Sequence, residues 1–199
     1  MGKRSDFVKR ARDFYPTPKE AVAPLIPFLP EYVTFIEPCA GDGRLVRHMM
    51  DLLGPDVECN GAYDIEYPTD EDGDLLPLQW DVQIADALTL VEANVARADY
   101  IITNPPWSRD KASGYILHRM IEHFAELRPT WLLFDADWMH TKQAVPYIEK
   151  YLLSVVTVVR VSWAQNGTSG KDNVAWYLFE AGARDKLERP EFWPRGVHP

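Results

Sequence analysis

Several features that would place a chain in another class of protein are absent or scarce in this sequence of 199 residues. No run approaches the roughly 20 apolar residues of a membrane-spanning helix, and the basic N-terminus lacks the apolar stretch of a secretory signal. Cysteine occurs only at positions 39 and 59, which argues against a disulfide framework, and no Cys and His spacing suits zinc. We therefore expect a cytoplasmic protein with free thiols and without a metal site.

Positive charge is also in short supply, since 21 Lys and Arg stand against 30 Asp and Glu, a formal net charge of −9. Taken alone, this balance argues against a nucleic-acid ligand. The acids are unevenly placed, however. Residues 56–74 hold eight acids and no Lys or Arg, whereas the first 20 residues hold six basic and three acidic residues. The charge is therefore compatible with a nucleic-acid substrate, bound with modest affinity that salt weakens strongly.

Short apolar runs alternate with helical segments along the chain, which is typical of an α/β domain. We predict seven strands in a mostly parallel sheet with helices on both faces, the last two strands forming an antiparallel hairpin. The length suits a single domain, with a basic N-terminal arm (1–12) and a C-terminal tail (182–199). The predicted strands span residues 32–36, 57–65, 80–84, 100–103, 131–134, 155–161 and 174–179.

The first predicted strand runs into a glycine-containing turn at residues 37–43, Glu-Pro-Cys-Ala-Gly-Asp-Gly, followed by a helix. Glycines at such a turn let a ligand approach the backbone closely. A dinucleotide site would need a third glycine where Val46 stands, and the Glu37 carboxylate would repel a pyrophosphate. Asp64, 23 residues after Gly41, could accept hydrogen bonds from ribose hydroxyls. The pattern favours a positively charged nucleoside without phosphates; the alternative is a tight turn with solvated acids.

The sequence Asn104-Pro105-Pro106-Trp107 directly follows the fourth predicted strand. The two prolines force an extended backbone and remove two donors, which leaves the Asn104 side-chain oxygen and the Pro105 carbonyl as acceptors. An exocyclic amine can donate one hydrogen to each, and these bonds stabilise the amine as its lone pair leaves ring conjugation. Trp107 offers a flat face on which an extruded base could stack. The alternative is a rigid turn with a core tryptophan.

Together these motifs resemble those of S-adenosylmethionine-dependent amino-methyltransferases, specifically the DNA adenine-N6 type that includes small phage-encoded enzymes. The resemblance covers about residues 13–181 and implies a Rossmann-like class I methyltransferase fold with S-adenosylmethionine as cofactor. The implied catalytic residues are Asn104, Pro105, Pro106 and Trp107. The implied cofactor-binding residues are Tyr15, Thr17 and Pro18 of an N-terminal motif, Glu37, Pro38, Ala40, Gly41 and Gly43 of the methionine-binding loop, Asp64 and Ile65 at the ribose, Asp86 and Ala87 at the adenine, and Asn104.

The resemblance implies direct methyl transfer to the N6 amine of adenine in DNA, in a bacterial or phage-infected cell. No inserted module of target-recognition size is evident, so we expect weak or short sequence preference, or a partner chain that supplies recognition. The alternatives are methylation of adenine in RNA or of a protein glutamine amide, and a non-catalytic cofactor-binding subunit. The candidate substrate contacts are Trp107, Arg109, Lys111, Trp163 and Lys171.

Overall fold

A single sheet of eight strands organises the part of the chain that the computed structural model describes, residues 15–70, 72–107, 115–163 and 173–199. The strand order is β3-β2-β1-β4-β5-β7-β6-β8. Neighbouring strands pair in parallel except at β7, which is antiparallel to both β5 and β6. The strands are β1 (Val33–Glu37), β2 (Val57–Asp64), β3 (Gln83–Ile84), β4 (Tyr100–Thr103), β5 (Thr130–Asp135), β6 (Leu152–Thr157), β7 (Val174–Phe179) and β8 (Glu191–Trp193).

Helices cover both faces of this sheet, and none in the described segments is long and apolar enough to cross a membrane. Short 3-10 turns at residues 23–28, 54–56, 87–89, 136–140 and 142–144 complete the connections. The α-helices are α1 (Lys19–Val22), α2 (Arg44–Leu53), α3 (Glu92–Val95), α4 (Ile116–Leu127), α5 (Val145–Tyr151) and α6 (Ala183–Lys186).

Two apolar cores form because successive residues of a strand point to opposite faces of the sheet. Ile101 packs in the core that contains the buried side of α4, whereas its neighbour Ile102 packs in the core that contains α2. In α2 the fully buried residues Leu45, Val46 and Met49 recur at the spacing of one helical face. The central strands β1, β4, β5, β6 and β7 are thus buried on both sides, as the apolar runs of the sequence predict.

The predicted α/β architecture is confirmed, with a mostly parallel sheet and the antiparallel pairing of the last two predicted strands. The predicted number of strands is wrong by one. β8 lies in the segment predicted as a C-terminal tail and pairs with β6; three residues are too few to show a strand periodicity. β6 starts at Leu152 and ends at Thr157, earlier than the predicted range of 155–161.

The sheet brings the sequence motifs to one edge. β1, β2, β4 and β5 run parallel, so their carboxyl ends lie on the same side of the molecule. The segments that leave these ends are 38–43, 65–70, 104–107 and 136–140. In open parallel sheets, ligands bind in the crevice outside the carboxyl ends of the strands.

Gly43, which precedes α2, provides a test of this local packing. Its φ is +80°, and a Cβ added there would lie 2.5 Å from the Cβ of Trp80. We expect Gly43→Ala to reduce the free energy of unfolding by about 3 kcal/mol, from left-handed strain plus this clash. Gly182→Ala is the matched control, because Gly182 precedes α6 at φ +71° and an added Cβ meets only Asp185 Oδ2 at 3.5 Å.

Urea unfolding of the two variants measures the difference directly. In the control, only the strain of the left-handed backbone should reduce the free energy of unfolding, by about 1–2 kcal/mol. Equal losses in both variants would contradict the close packing of Trp80 on the glycine turn.

Candidate active site

The glycine turn after β1 is held against the end of β2 by two hydrogen bonds. The backbone N–H of Ala40 donates to the Tyr63 carbonyl at 2.8 Å, and that of Gly41 donates to Asp64 Oδ2 at 2.7 Å. Gly41 and Gly43 have φ angles of +55° and +80°, in the region that favours glycine. The structure therefore brings the predicted loop and the predicted acid together.

Glu37, the last residue of β1, is a buried carboxylate without full compensation. It is 1% exposed, and its Oε2 atom has no hydrogen-bond partner among the described residues. Burial raises the pKa of Glu37 well above its usual value of 4.5, and the nearby carboxylates of Asp64 and Asp42 raise it further; a backbone hydrogen bond from Val46 opposes the shift. A buried carboxylate of this kind is stabilised by a cation placed beside it.

Asp64 and the residues near it form the outer part of the site. Burial raises the pKa of Asp64, while hydrogen bonds from backbone N–H groups, that of Gly41 foremost, oppose the shift. Ile65 follows with 55% of its surface exposed, an apolar side chain that a flat ring could cover. Asp86 Oδ1 accepts from the N–H of Leu88 at 2.9 Å and begins the 87–89 turn. The contacts predicted for these residues with ribose and adenine stay predictions.

The Asn104 side chain, at the carboxyl end of β4, is hydrogen-bonded at both ends of its amide. Nδ2 donates to the Tyr15 carbonyl at 3.3 Å and to Thr17 Oγ1 at 3.2 Å. Oδ1 accepts from the indole N–H of Trp107 at 3.1 Å. Because a carbonyl can only accept and an indole N–H can only donate, the amide has one orientation that satisfies both partners.

Thr17 contacts Asn104 and does not cap a helix. The pattern Thr-Pro-Lys-Glu predicts Thr17 as the cap of α1, but Pro18 stands at that position and no side chain caps the helix. Thr17 is instead buried against Asn104. The predicted N-terminal cofactor motif thus directly contacts the predicted catalytic motif, a link across 87 residues of sequence.

Trp107 lies between Asn104, at the carboxyl end of β4, and a neighbouring cavity. Its indole N–H also donates to the Leu133 carbonyl at 3.2 Å, and its ring meets that of Trp163 edge-to-face at a centroid distance of 5.6 Å. Trp163 is only 7% exposed. Trp163, a candidate substrate contact, is thus buried and packs against the Trp107 ring.

The cavity beside Trp107 has a volume of about 170 Å³ and largely aromatic walls. His118 Nε2 accepts from the Trp138 indole N–H at 3.0 Å, so the neutral ring carries its proton on Nδ1. Burial lowers the pKa of His118 below its usual value of 6.5, which favours that neutral form. The lining residues are Trp107, Tyr115, Leu117, His118, Phe134, Asp135, Trp138, Thr141 and Gln143.

The sequence gives no sign of this cavity because, apart from Trp107, its lining residues come from Tyr115 and α4, β5 and the 136–144 turns and share no motif. The predicted site residues that are buried at the carboxyl ends of the strands include Pro18, Pro38, Ala87 and Pro105. The candidate substrate residues Arg109, Lys111 and Lys171 lie outside the described residues, as does the basic arm. No group of three or more His, Cys, Asp or Glu in the described segments could hold a metal ion.

Comparison with solved structures identifies the fold. A protein of Listeria monocytogenes described as a class I S-adenosylmethionine-dependent methyltransferase superposes with a TM-score of 0.56, at 11% identity over 89% of this chain and 64% of that one. A type I restriction-modification methyltransferase subunit from Streptococcus thermophilus gives 0.53, at 12% identity over 84% and 45%. This chain has the class I methyltransferase fold.

A protein of Pyrococcus horikoshii described as an RNA methyltransferase also matches, with a TM-score of 0.51 and 16% identity. That match covers 90% of this chain and 93% of the other. The chain spans 64% of the Listeria protein and about half (45%) of the Streptococcus subunit. No protein-family profile and no curated protein sequence matches it.

The burial of Glu37 predicts a pH-dependent cost to stability. A carboxyl whose pKa is raised by folding binds its proton more tightly in the native state, so its contribution to stability falls as the pH rises above 4.5. We expect Glu37→Gln to be more stable than the natural protein above pH 4.5, by a margin that grows with pH until the native Glu37 carboxyl ionises. Each unit of raised pKa corresponds to about 1.4 kcal/mol.

Urea unfolding across this pH range, without ligand, measures that gain. Asp42→Asn is the control, because Asp42 is also buried but pairs with Arg44 at 2.8 Å, so its loss should destabilise the protein. A stability difference between Glu37→Gln and the natural protein that does not change with pH would contradict the assignment.

Proposed function

We propose that this protein is an S-adenosylmethionine-dependent methyltransferase that acts on the exocyclic N6 amine of adenine in DNA. The observation that carries the proposal is the fixed amide of Asn104 at the carboxyl end of β4, hydrogen-bonded on both sides. The class I methyltransferase fold places this amide on the same edge as the glycine turn and Asp64.

The residues of the glycine turn suit this cofactor. S-adenosylmethionine carries its methyl on a positively charged sulfur, so it supplies a methyl that is already activated. The uncompensated Glu37 carboxylate favours a cationic ligand, and a phosphate-bearing one would be repelled. Gly41 has no side chain to keep a ligand from its backbone, whereas Gly43 is packed against Trp80. Asp64 and the exposed Ile65 would hold the ribose and adenine.

The chain's part in the reaction is to hold the amine. Asn104 Oδ1 and the Pro105 carbonyl would each accept one hydrogen from the amino group, which directs its lone pair toward the methyl. Because both ends of the Asn104 amide are already bonded, this geometry costs little reorganisation when the substrate binds. No strong base is needed before attack, since the methylated ammonium is acidic and loses its proton to water.

A planar base suits the neighbouring cavity better than an aliphatic amide does. Trp107, Tyr115, Phe134 and Trp138 provide flat apolar walls, on which an extruded base would stack. A glutamine amide would leave most of these walls without contact. We favour DNA because one structural relative is named as a restriction-modification methyltransferase subunit. RNA is the second candidate, and in either case we propose that a partner chain supplies target recognition.

We expect methyl transfer to unmethylated DNA when the protein is incubated with methyl-labelled S-adenosylmethionine and separate samples of DNA, RNA and protein. Nucleoside and amino-acid analysis of the products should identify N6-methyladenine from DNA as the labelled species. Label in RNA adenine alone or in glutamine alone would overturn the DNA assignment. No transfer to any acceptor would support the non-catalytic alternative.

Asn104→Ala should reduce transfer by about 100-fold or more, since an acceptor in the transition state is lost. Binding of S-adenosylmethionine, measured by calorimetry, should fall far less than transfer does, because the glycine turn and Asp64 are retained. Asn94→Ala is the matched control, because the exposed Asn94 side chain accepts a local bond from the Val91 N–H at the start of α3 and has no other partner among the described residues. Unaltered turnover in Asn104→Ala would contradict the proposed mechanism.

A further inference from the structure

The indole N–H of Trp107 joins the ends of two neighbouring strands. It is shared between Asn104 Oδ1 at 3.1 Å, just after β4, and the Leu133 carbonyl at 3.2 Å, within β5. A phenylalanine ring has no donor, and a tyrosine hydroxyl lies at the far end of its ring. This contact is therefore specific to tryptophan, and it is separate from any role of the ring as a stacking surface.

Packing fixes the direction in which this N–H points. The Trp107 ring contacts residues of both apolar cores, and the Trp163 ring meets it at an interplanar angle of 85°. Trp163 is itself buried. Turning the Trp107 ring away would lose these contacts and leave the Leu133 carbonyl without this donor.

The bond to Trp107 leaves room for a substrate on the same oxygen. A carboxamide oxygen has two lone pairs, and among the described residues only the indole donates to Oδ1. At the other end of the amide, Nδ2 donates to Tyr15 and Thr17. Rotation of the amide would break bonds on both sides, so the second lone pair keeps one direction.

We propose that Trp107 is a positioning residue that acts through its indole N–H, by holding Asn104 Oδ1 in the orientation that receives the substrate amine. The inference rests on the proposed function, because it assigns a role within methyl transfer. It goes beyond that function by separating two contributions of one side chain, the N–H donor and the aromatic face.

An isosteric replacement tests the donor without removing the ring. Benzothienylalanine, introduced by amber suppression at position 107, keeps the bicyclic ring but has sulfur in place of N–H. With unmethylated DNA and labelled S-adenosylmethionine, kcat should fall about tenfold, as expected for one lost hydrogen bond. KM for DNA and Kd for S-adenosylmethionine should change less than twofold, because the face and the cofactor loop are intact.

The same replacement at Trp131, which is buried in β5 and packs against Phe28, is the matched control. Its indole nitrogen is buried and has no hydrogen-bond partner among the described residues, so loss of that N–H should leave kcat unchanged. Trp107→Phe should show the same loss of kcat as the isostere, with an added rise in KM for DNA from the smaller ring.

The outcomes separate the inference from the function on which it rests. Unchanged kcat in the isostere at position 107 overturns the positioning role while the natural protein remains active. A higher kcat also overturns it, because the N–H would then be blocking the oxygen. A natural protein that methylates none of DNA, RNA or protein overturns the proposed function, and the role of Trp107 with it.

Discussion

The hydrogen-bonded amide of Asn104 is the interaction on which the rest of the site depends. Three distant parts of the chain meet there: residues 15–17 before α1, residues 104–107 after β4, and the carboxyl end of β5 through Leu133. The parallel pairing of β4 and β5 brings the last two parts to one edge, and the hydrogen bonds from Asn104 hold residues 15–17 against them. The resulting geometry is set before any substrate arrives, which is how a protein gains rate from orientation.

The second constraint is electrostatic. Glu37 is fully buried close to Asp64 and Asp42, and of these three acids only Asp42 has a basic partner within the described residues, Arg44. Grouping acids in this way costs stability in the empty protein, and a cationic ligand would recover that cost. The net charge of −9 thus reflects in part the acids concentrated around β2, on the edge proposed for the cofactor.

The sequence predicts those features that local patterns encode. The glycine turn, its proximity to Asp64, and the antiparallel β6–β7 pair all follow from residues that are close together in sequence or from the alternation of strands and helices. The features that were missed depend on long-range packing. Thr17 looks like a helix cap because its neighbours fit that motif, and only the folded chain places Asn104 beside it. β8 and the aromatic cavity likewise have no local signal.

The hydrogen bonding of the Asn104 side-chain amide can be measured without substrate or cofactor. In protein labelled with ¹⁵N-asparagine, the exchange of the Asn104 side-chain amide protons with solvent should be much slower than that of the exposed Asn94 amide. The spectrum of Asn104→Ala assigns the signal. Slow exchange that becomes fast in Thr17→Val is the predicted result; exchange of Asn104 as fast as that of Asn94 would contradict the account.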